Sequence, residues 1–295
     1  MCSTHRKELS NSSSDAVSQY WTRHNVTLHH QFNSATESLD YFRWRNDQYF
    51  NYINLMPVAG FDCQSVLDYG CGPGHDLVGF AECSNVKRLV GVDVSPSSLA
   101  EAEARLQLHR DDVEIRLLGD ADGGLPYPDE SFDHIHSSGV LHHTPDPAAI
   151  LAELRRVLRP RGTMNIMVYN YDSLWLHLYV AYQRSIVEGL FPELTLREQF
   201  AKSTDGEDCP IANCYRPQEW LEICREVGLE AEFSGAAISM YEASLCPKRF
   251  DAIRDQRLSK ESREFLLQLE MDRHGLPLYQ GHYAGVDACF HIVKR

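Results

Sequence analysis

Between residues 65 and 169, short apolar runs alternate with longer stretches of helical periodicity. The runs lie at Ser65–Tyr69, Arg88–Val94, Val113–Leu118, Phe132–Ser137 and Thr163–Tyr169, and their starts fall roughly 20 to 30 residues apart. The intervening stretches carry helix-start signals. Ser95-Pro96 opens Leu99–Leu108, with the serine as N-cap and the proline as first helical residue. Asp146-Pro147 does the same before Ile150, Leu151, Leu154, Val157 and Leu158, which fall on one helical face. Strand, helix, strand at this spacing predicts βαβ units and a mostly parallel sheet. Further along, Leu229–Phe233 and Asp287–Val293 read as two more strands. Pro217–Val227 reads as a helix with Gly228 as its C-terminal cap.

The flanking pattern divides the chain. Residues 1–16 are polar and Ser-rich and read as a disordered tail. Residues 17–60 concentrate aromatic side chains among arginines and form a helical cap. Tyr41, Arg45, Tyr49 and Tyr52 share a helical spacing there, which suits either core packing or a cover over a ligand. Residues 61–170 form the core. Residues 171–215 follow as a lid insertion, with an apolar helix at Leu174–Ile186 and a polar loop at Ser203-Thr204-Asp205-Gly206. Residues 216–295 complete the core and carry a charged, helix-like insertion at 240–283. No internal repeat is visible.

Composition narrows the class. The 295 residues are 43% hydrophobic, with a formal net charge of −14. That is the make-up of a globular enzyme, and it disfavours nucleic acid and anionic membranes as partners. Nine cysteines make an odd count, and Cys63, Cys71 and Cys289 stand in apolar surroundings, which reads as reduced thiols in a cytoplasmic protein. Met1–Ala16 lacks the apolar stretch of a secretory signal, and no run of 18 apolar residues occurs. Cys209 and Cys214 have no matching second pair, and His29-His30 and His142-His143 lack ligand spacing, so no metal is expected.

The first strand runs into Asp68-Tyr69-Gly70-Cys71-Gly72-Pro73-Gly74 and then a helix. Glycines there permit a tight turn and close approach of a ligand to the backbone, and the helix start offers free N–H groups. A plain tight turn explains the glycines equally well. Asp93 ends the second strand, 19 residues after Gly74, where a carboxylate can accept both hydroxyls of a ribose. Capping of the next helix is the alternative, but Ser95 already serves that end. The glycine spacing is G-x-G-x-G rather than G-x-G-x-x-G, and Asp68 precedes it by two residues. An acid at the turn suits an amine-bearing nucleoside better than a pyrophosphate.

These segments resemble the class I S-adenosylmethionine-dependent methyltransferases over about residues 62–170, and more weakly over the last two strands. The resemblance rests on Val66–Gly74, on Gly91–Ser95, and on Gly119-Asp120-Ala121 followed by Leu125–Asp133. Val140-Leu141-His142-His143 and Arg156–Gly162 complete it, all in the family's order. Arg161 departs from the glycine usual at that turn, and Pro73 stiffens the loop. The resemblance implies an α/β fold, a Rossmann-like doubly wound seven-stranded mostly parallel sheet with an antiparallel last strand, roofed by the cap and the lid insertions. It implies S-adenosyl-L-methionine as cofactor. Gly70, Gly72 and Gly74 would wrap its methionine part with Asp68 near the amino group. Asp93 would hold the ribose, Asp120 and the backbone of Ala121 the adenine, and Ser137 at the end of the fourth strand would line the same pocket.

The reaction site is expected beyond the carboxyl ends of the strands. Tyr169, Asn170 and Tyr171 end the fifth strand and are the leading catalytic candidates, with His142 (beside His143) as base or orienter and Tyr41 reaching in from the cap. Packing is the competing reading for the histidines, as it is for Trp175 and His177. Arg43 or Arg45 could clamp a carboxylate, or lie on a solvated surface. The expected function is methyl transfer to a small-molecule amine, carboxylate or hydroxyl, by a protein that functions alone or as a homodimer. The alternative keeps the fold and attacks the aminocarboxypropyl carbon, closing a four-membered cyclic amino acid and releasing methylthioadenosine. A silent cofactor-binding module is the third reading.

Overall fold

A computed structural model describes residues 15–25, 29–110, 112–118 and 124–295. In chain order the strands are β1 (Tyr49–Phe50), β2 (Ser65–Tyr69), β3 (Arg88–Asp93), β4 (Glu114–Leu117), β5 (Phe132–Ser138), β6 (Leu158–Tyr169), β7 (Glu230–Ser239), β8 (Glu270–Met271), β9 (Pro277–Tyr279), β10 (His282–Tyr283) and β11 (Asp287–Val293). The main sheet is ordered β1-β7-β11-β6-β5-β2-β3-β4, and β8 to β10 form a small separate sheet. Strands β4, β3, β2, β5 and β6 run parallel, while β11 is antiparallel to both β6 and β7. This is a Rossmann-like doubly wound sheet with an antiparallel last strand.

The main sheet has eight strands among the described residues rather than the seven expected. The extra one is β1, which pairs Tyr49 with Ser239 and Phe50 with Ile238. Two residues carry no alternation to read, so no sequence pattern marks it. The same segment corrects the single helix drawn through Tyr41 and Tyr52. Helix α2 (Ala35–Asp47) ends at Gln48, and Asn51 at φ +69° turns the chain before α3 (Tyr52–Leu55). Ahead of them, residues 15–23 form helix α1.

Strand β2 is buried on both faces, as parallel strands covered by helices must be. Helices α4 (His75–Cys83) and α5 (Pro96–Leu106) follow β2 and β3. At Gly91 in β3 an added Cβ would lie 2.6 Å from Leu77 of α4 and 2.8 Å from the Cys71 sulfur, so the close packing of helix on strand needs glycine. The Ser95 and Asp146 side chains accept from the Ser98 and Ala149 N–H groups, starting α5 and α6 (Pro147–Val157). Leu151, Leu154 and Val157 are fully buried, whereas Leu158 leaves the helix and opens β6.

The chain after β6 winds as a π-helix at Trp175–Val187, where a helix was expected over Leu174–Ile186, and continues as α7 (Leu196–Ser203). Helix α8 (Pro217–Glu226) is followed by Gly228 at φ +74°. Between β7 and β11 lie α9 (Met240–Leu245), α10 (Arg249–Arg254), α11 (Lys260–Gln268) and the small sheet. No described helix is long and apolar enough to cross a membrane.

Candidate active site

A cavity of about 1090 Å³ opens at the carboxyl ends of the parallel strands. Its floor is the glycine turn. Gly70 and Gly72 take φ +78° and +51° and line it directly. Gly74, at φ +78°, starts α4 behind the wall, against Ala102. At Gly70 a Cβ would meet Val140 at 2.3 Å, so that side chain packs directly on the backbone, whereas at Gly72 a Cβ would enter open space. Asp93 braces this turn: Oδ2 accepts from the Gly72 N–H and Oδ1 from the Ser95 N–H, both at 2.8 Å. Each oxygen keeps a further lone pair for a ligand.

The acid at position 68 belongs to a buried charge network. Asp68 is 2% exposed on the cavity wall, and burial pushes its carboxyl up to about 8, with His136 pulling the other way. Asp76, in the first turn of α4, lies 3.2 Å from the His136 Nε2. Burial opposes ionisation of Asp76, but the His136 hydrogen bond and charge win and hold it well below the carboxylate range. His136 is raised in turn, its burial outweighed by the same Asp76 contact and charge. Arg45 reaches the same wall from α2, its guanidinium over the rings of Tyr52 at 4.8 Å and Tyr49 at 5.6 Å.

The opposite wall carries the groups that could handle a proton. Tyr169 at the end of β6 donates its hydroxyl to Asp205 Oδ1 at 2.8 Å. His143 Nδ1 donates to the Ile211 carbonyl at 2.6 Å, so in the neutral ring Nε2 holds a lone pair. That atom faces Asp205 Oδ2 at 3.9 Å, and Oδ2 has no hydrogen-bond partner among the described residues. Burial lowers His143 and raises Asp205. The Cys209 thiol completes a triad whose donor atoms lie within 4.8 Å of one another, a set that could hold a divalent cation despite the lack of any sequence signal for one. Asp287, at the head of β11, is 4% exposed and also lines the cavity.

Several expected site residues lie elsewhere. Asn170 faces away from the cavity. Its amide donates to the carbonyls of Asp172 and Gly285, both at 2.9 Å, and accepts from the Asp172 N–H at 3.0 Å, so it builds the turn that ends β6. That turn carries Tyr171 out of the wall, where its hydroxyl donates to Glu261 and its ring lies under Arg216 and Arg197. His142 is sealed beneath Tyr169. Its ring stacks on the tyrosine at 3.7 Å, and Nδ1 accepts from the Tyr169 N–H, so it supports that residue instead of meeting a ligand. Ser137 donates to the Tyr69 carbonyl across β5 and β2 and does not line the cavity; the neighbouring Ser138 does. Tyr41 packs against Phe32 and over Arg105, outside the wall. Arg43 pairs with Asp40 on the surface. Asp120 and Ala121 lie outside the described residues. The site also gains residues the sequence reading passed over, Asp205 and Asp287 foremost. Asp287 carried a signal, being a carboxylate at the head of an otherwise apolar strand.

Residues 67–166 match the family model described as a methyltransferase domain. The chain is 37% identical over 199 residues to an uncharacterized 37.1 kDa protein in transposon TN4556 of Streptomyces fradiae. That match covers 63% of this chain and 56%, about half, of the relative's length. It is 27% identical over 256 residues to 27-O-demethylrifamycin SV methyltransferase of Amycolatopsis mediterranei, covering 85% of this chain and 80% of that one. Among solved structures it resembles geranyl diphosphate C-methyltransferase of Streptomyces coelicolor with a TM-score of 0.52 at 14% identity, over 96% and 98% of the two chains, a likeness of fold.

Proposed function

We propose that the chain is a class I S-adenosylmethionine-dependent methyltransferase and that it methylates a small molecule bound in the same cavity as the cofactor. One observation carries the reading. The glycine turn with Asp93 and the His143–Asp205–Tyr169 cluster open onto a single space. The floor fits the cofactor: at Gly72 an added Cβ would project into open space on the cavity lining, and Asp93 offers carboxylate lone pairs while fixed by two backbone donors.

When bound, S-adenosylmethionine supplies a methyl group activated on a sulfonium. Asp93 would receive the ribose hydroxyls, Asp68 the amino group and Arg45 the carboxylate. On the facing wall, Tyr169 and the Ile211 carbonyl orient Asp205 and His143. The Nε2 lone pair of His143 would accept the proton of the incoming nucleophile, with Asp205 stabilising the imidazolium that forms. The aromatic walls would hold the acceptor in line, where positioning supplies most of the acceleration.

The cavity, about 1090 Å³, stands at the upper end of the roughly 300–1,000 Å³ of ligand pockets, which suits a cofactor and a small acceptor together. The test is mass spectrometry of the purified protein with S-adenosylmethionine, alone and with an acceptor library. S-adenosylhomocysteine formed in step with a methylated acceptor is the expected result. Methylthioadenosine above a protein-free control would overturn methyl transfer in favour of attack on the aminocarboxypropyl carbon.

A further inference from the structure

The acceptor half of the cavity is lined by hydrogen-bond acceptors and negative charge. Asp205 Oδ2 and His143 Nε2 face each other at 3.9 Å, and Nε2 is an acceptor when the imidazole is neutral. Asp287 adds a second carboxylate. It is 4% exposed on the cavity wall, and no hydrogen bond to its side chain is found among the described residues. Burial pushes it up to about 7, with Asp205 pushing the same way and Arg45 opposing. Arg45, over the Tyr52 and Tyr49 rings and close to Asp76, is shared between the floor and this wall. Tyr49, Tyr169 and Trp175 supply the aromatic part of the same wall.

We infer that the acceptor is an amine that enters as an ammonium ion, docked by the carboxylates of Asp287 and Asp205 against the aromatic wall. These walls separate the three acceptor classes expected from the sequence. A carboxylate substrate would meet two buried acids. A hydroxyl would satisfy one acceptor and bring no charge to two buried acids that share Arg45. An ammonium brings three donors and a second positive charge, and aromatic rings attract it as well. The inference rests on the methyl-transfer reading above.

The step balances. The bound R–NH3⁺ gives one proton to His143 Nε2, leaving a nitrogen lone pair. That pair forms the N–CH3 bond while the S–CH3 bond breaks and its electrons stay on sulfur. The products are a neutral thioether and R–NH2⁺–CH3, with the imidazolium held beside Asp205.

The experiment is a turnover screen with the full chain, S-adenosylmethionine and a matched library. Each scaffold carries a terminal primary amine, an alcohol or a carboxylate, with 2-phenylethylamine, 2-phenylethanol and phenylacetate as one set. The parent protein should turn over amines at least tenfold faster than the matched alcohols and acids. Asp287→Asn should lose at least tenfold in kcat/KM for the amine through KM, with cofactor Kd within twofold, which shows the variant is folded. Asp205→Asn serves as the second variant and should lose the amine preference likewise. Turnover confined to alcohols or acids, or an amine preference untouched by both substitutions, overturns the amine and leaves methyl transfer standing. No turnover with any member while the cofactor is bound overturns both.

Discussion

The bare backbone at Gly70 sets a sharp test of how the cofactor floor is built. In Gly70→Ala the new Cβ would lie 2.3, 2.6 and 2.9 Å from Cγ2, Cγ1 and Cβ of Val140, all inside van der Waals contact. The residue is also held at φ +78°, which costs an alanine about 1 kcal/mol or more. The turn cannot swing aside cheaply, because the N–H groups of Gly70 and Cys71 both donate to the Val92 carbonyl, at 2.8 and 3.0 Å. Overpacking of this kind costs about 1–3 kcal/mol. The two terms together predict a loss of about 2–4 kcal/mol, a large share of the ~5–15 kcal/mol that holds a domain folded. Val140→Ala removes the contacts at 2.3 and 2.6 Å and leaves the one at 2.9 Å, so the double variant should recover part of the clash and none of the φ cost. Urea unfolding of the parent, both single variants and the double variant gives the cycle, with an expected favourable coupling of about 1 kcal/mol or more. A Gly70→Ala protein within ~0.5 kcal/mol of the parent, or a double variant that merely sums the two losses, would refute the close approach of the two residues.

Three further outcomes follow from named contacts. Asp93→Ala removes the acceptor of two backbone N–H groups as well as the carboxylate offered to the ribose, so calorimetry should show S-adenosylmethionine binding weakened at least ~10-fold; unchanged affinity would remove Asp93 from the site. Asn170→Ala breaks three hydrogen bonds of a buried turn and should cost about 1–3 kcal/mol in denaturant unfolding, with kcat/KM of the folded enzyme little changed; a selective loss of turnover would bring this residue back to the chemistry. Glu242 is fully buried, its Oε1 has no hydrogen-bond partner among the described residues, and burial pushes it up to about 8. The folded state therefore keeps a proton that the unfolded state releases above about pH 4, and stability from this group declines as pH rises from there toward 8. Glu242→Gln should flatten the fall in Tm between pH 5.5 and 8, and parallel Tm profiles for the two proteins would count against the assignment.

Much of the fold was legible because its signals are local. Ser95-Pro96 and Asp146-Pro147 mark helix starts by their own side chains, and the apolar runs of β2, β3 and β5 are short enough to read within one window. The turn from Asp68 to Gly74 was equally readable, since positive φ at Gly70 and Gly72 demands glycine in place. The acceptor wall was not. Its groups come from β6, from the loop at Asp205 and from the head of β11, and they meet only when the antiparallel strand slots between β6 and β7. Tyr169, Asn170 and Tyr171 looked alike as polar residues at a strand end. The hydrogen bonds of the Asn170 side chain then turned the chain and left one of the three facing the cavity. His142 and His143 divided in the same way, one under a tyrosine ring and one in the wall.

The two-residue strand β1 has a consequence for handling the protein. Without β1, strand β7 would end the sheet on that side, and an end strand offers unpaired N–H and C=O groups to any passing chain. Pairing of Tyr49 and Phe50 with Ser239 and Ile238, together with the flanking α3 and β10, covers part of that border. Trimming the first 60 residues to obtain a minimal catalytic core would therefore do more than unroof the cavity. It would expose a templating border for aggregation, and such a fragment would come out of solution by sheet extension even with its interior packing intact.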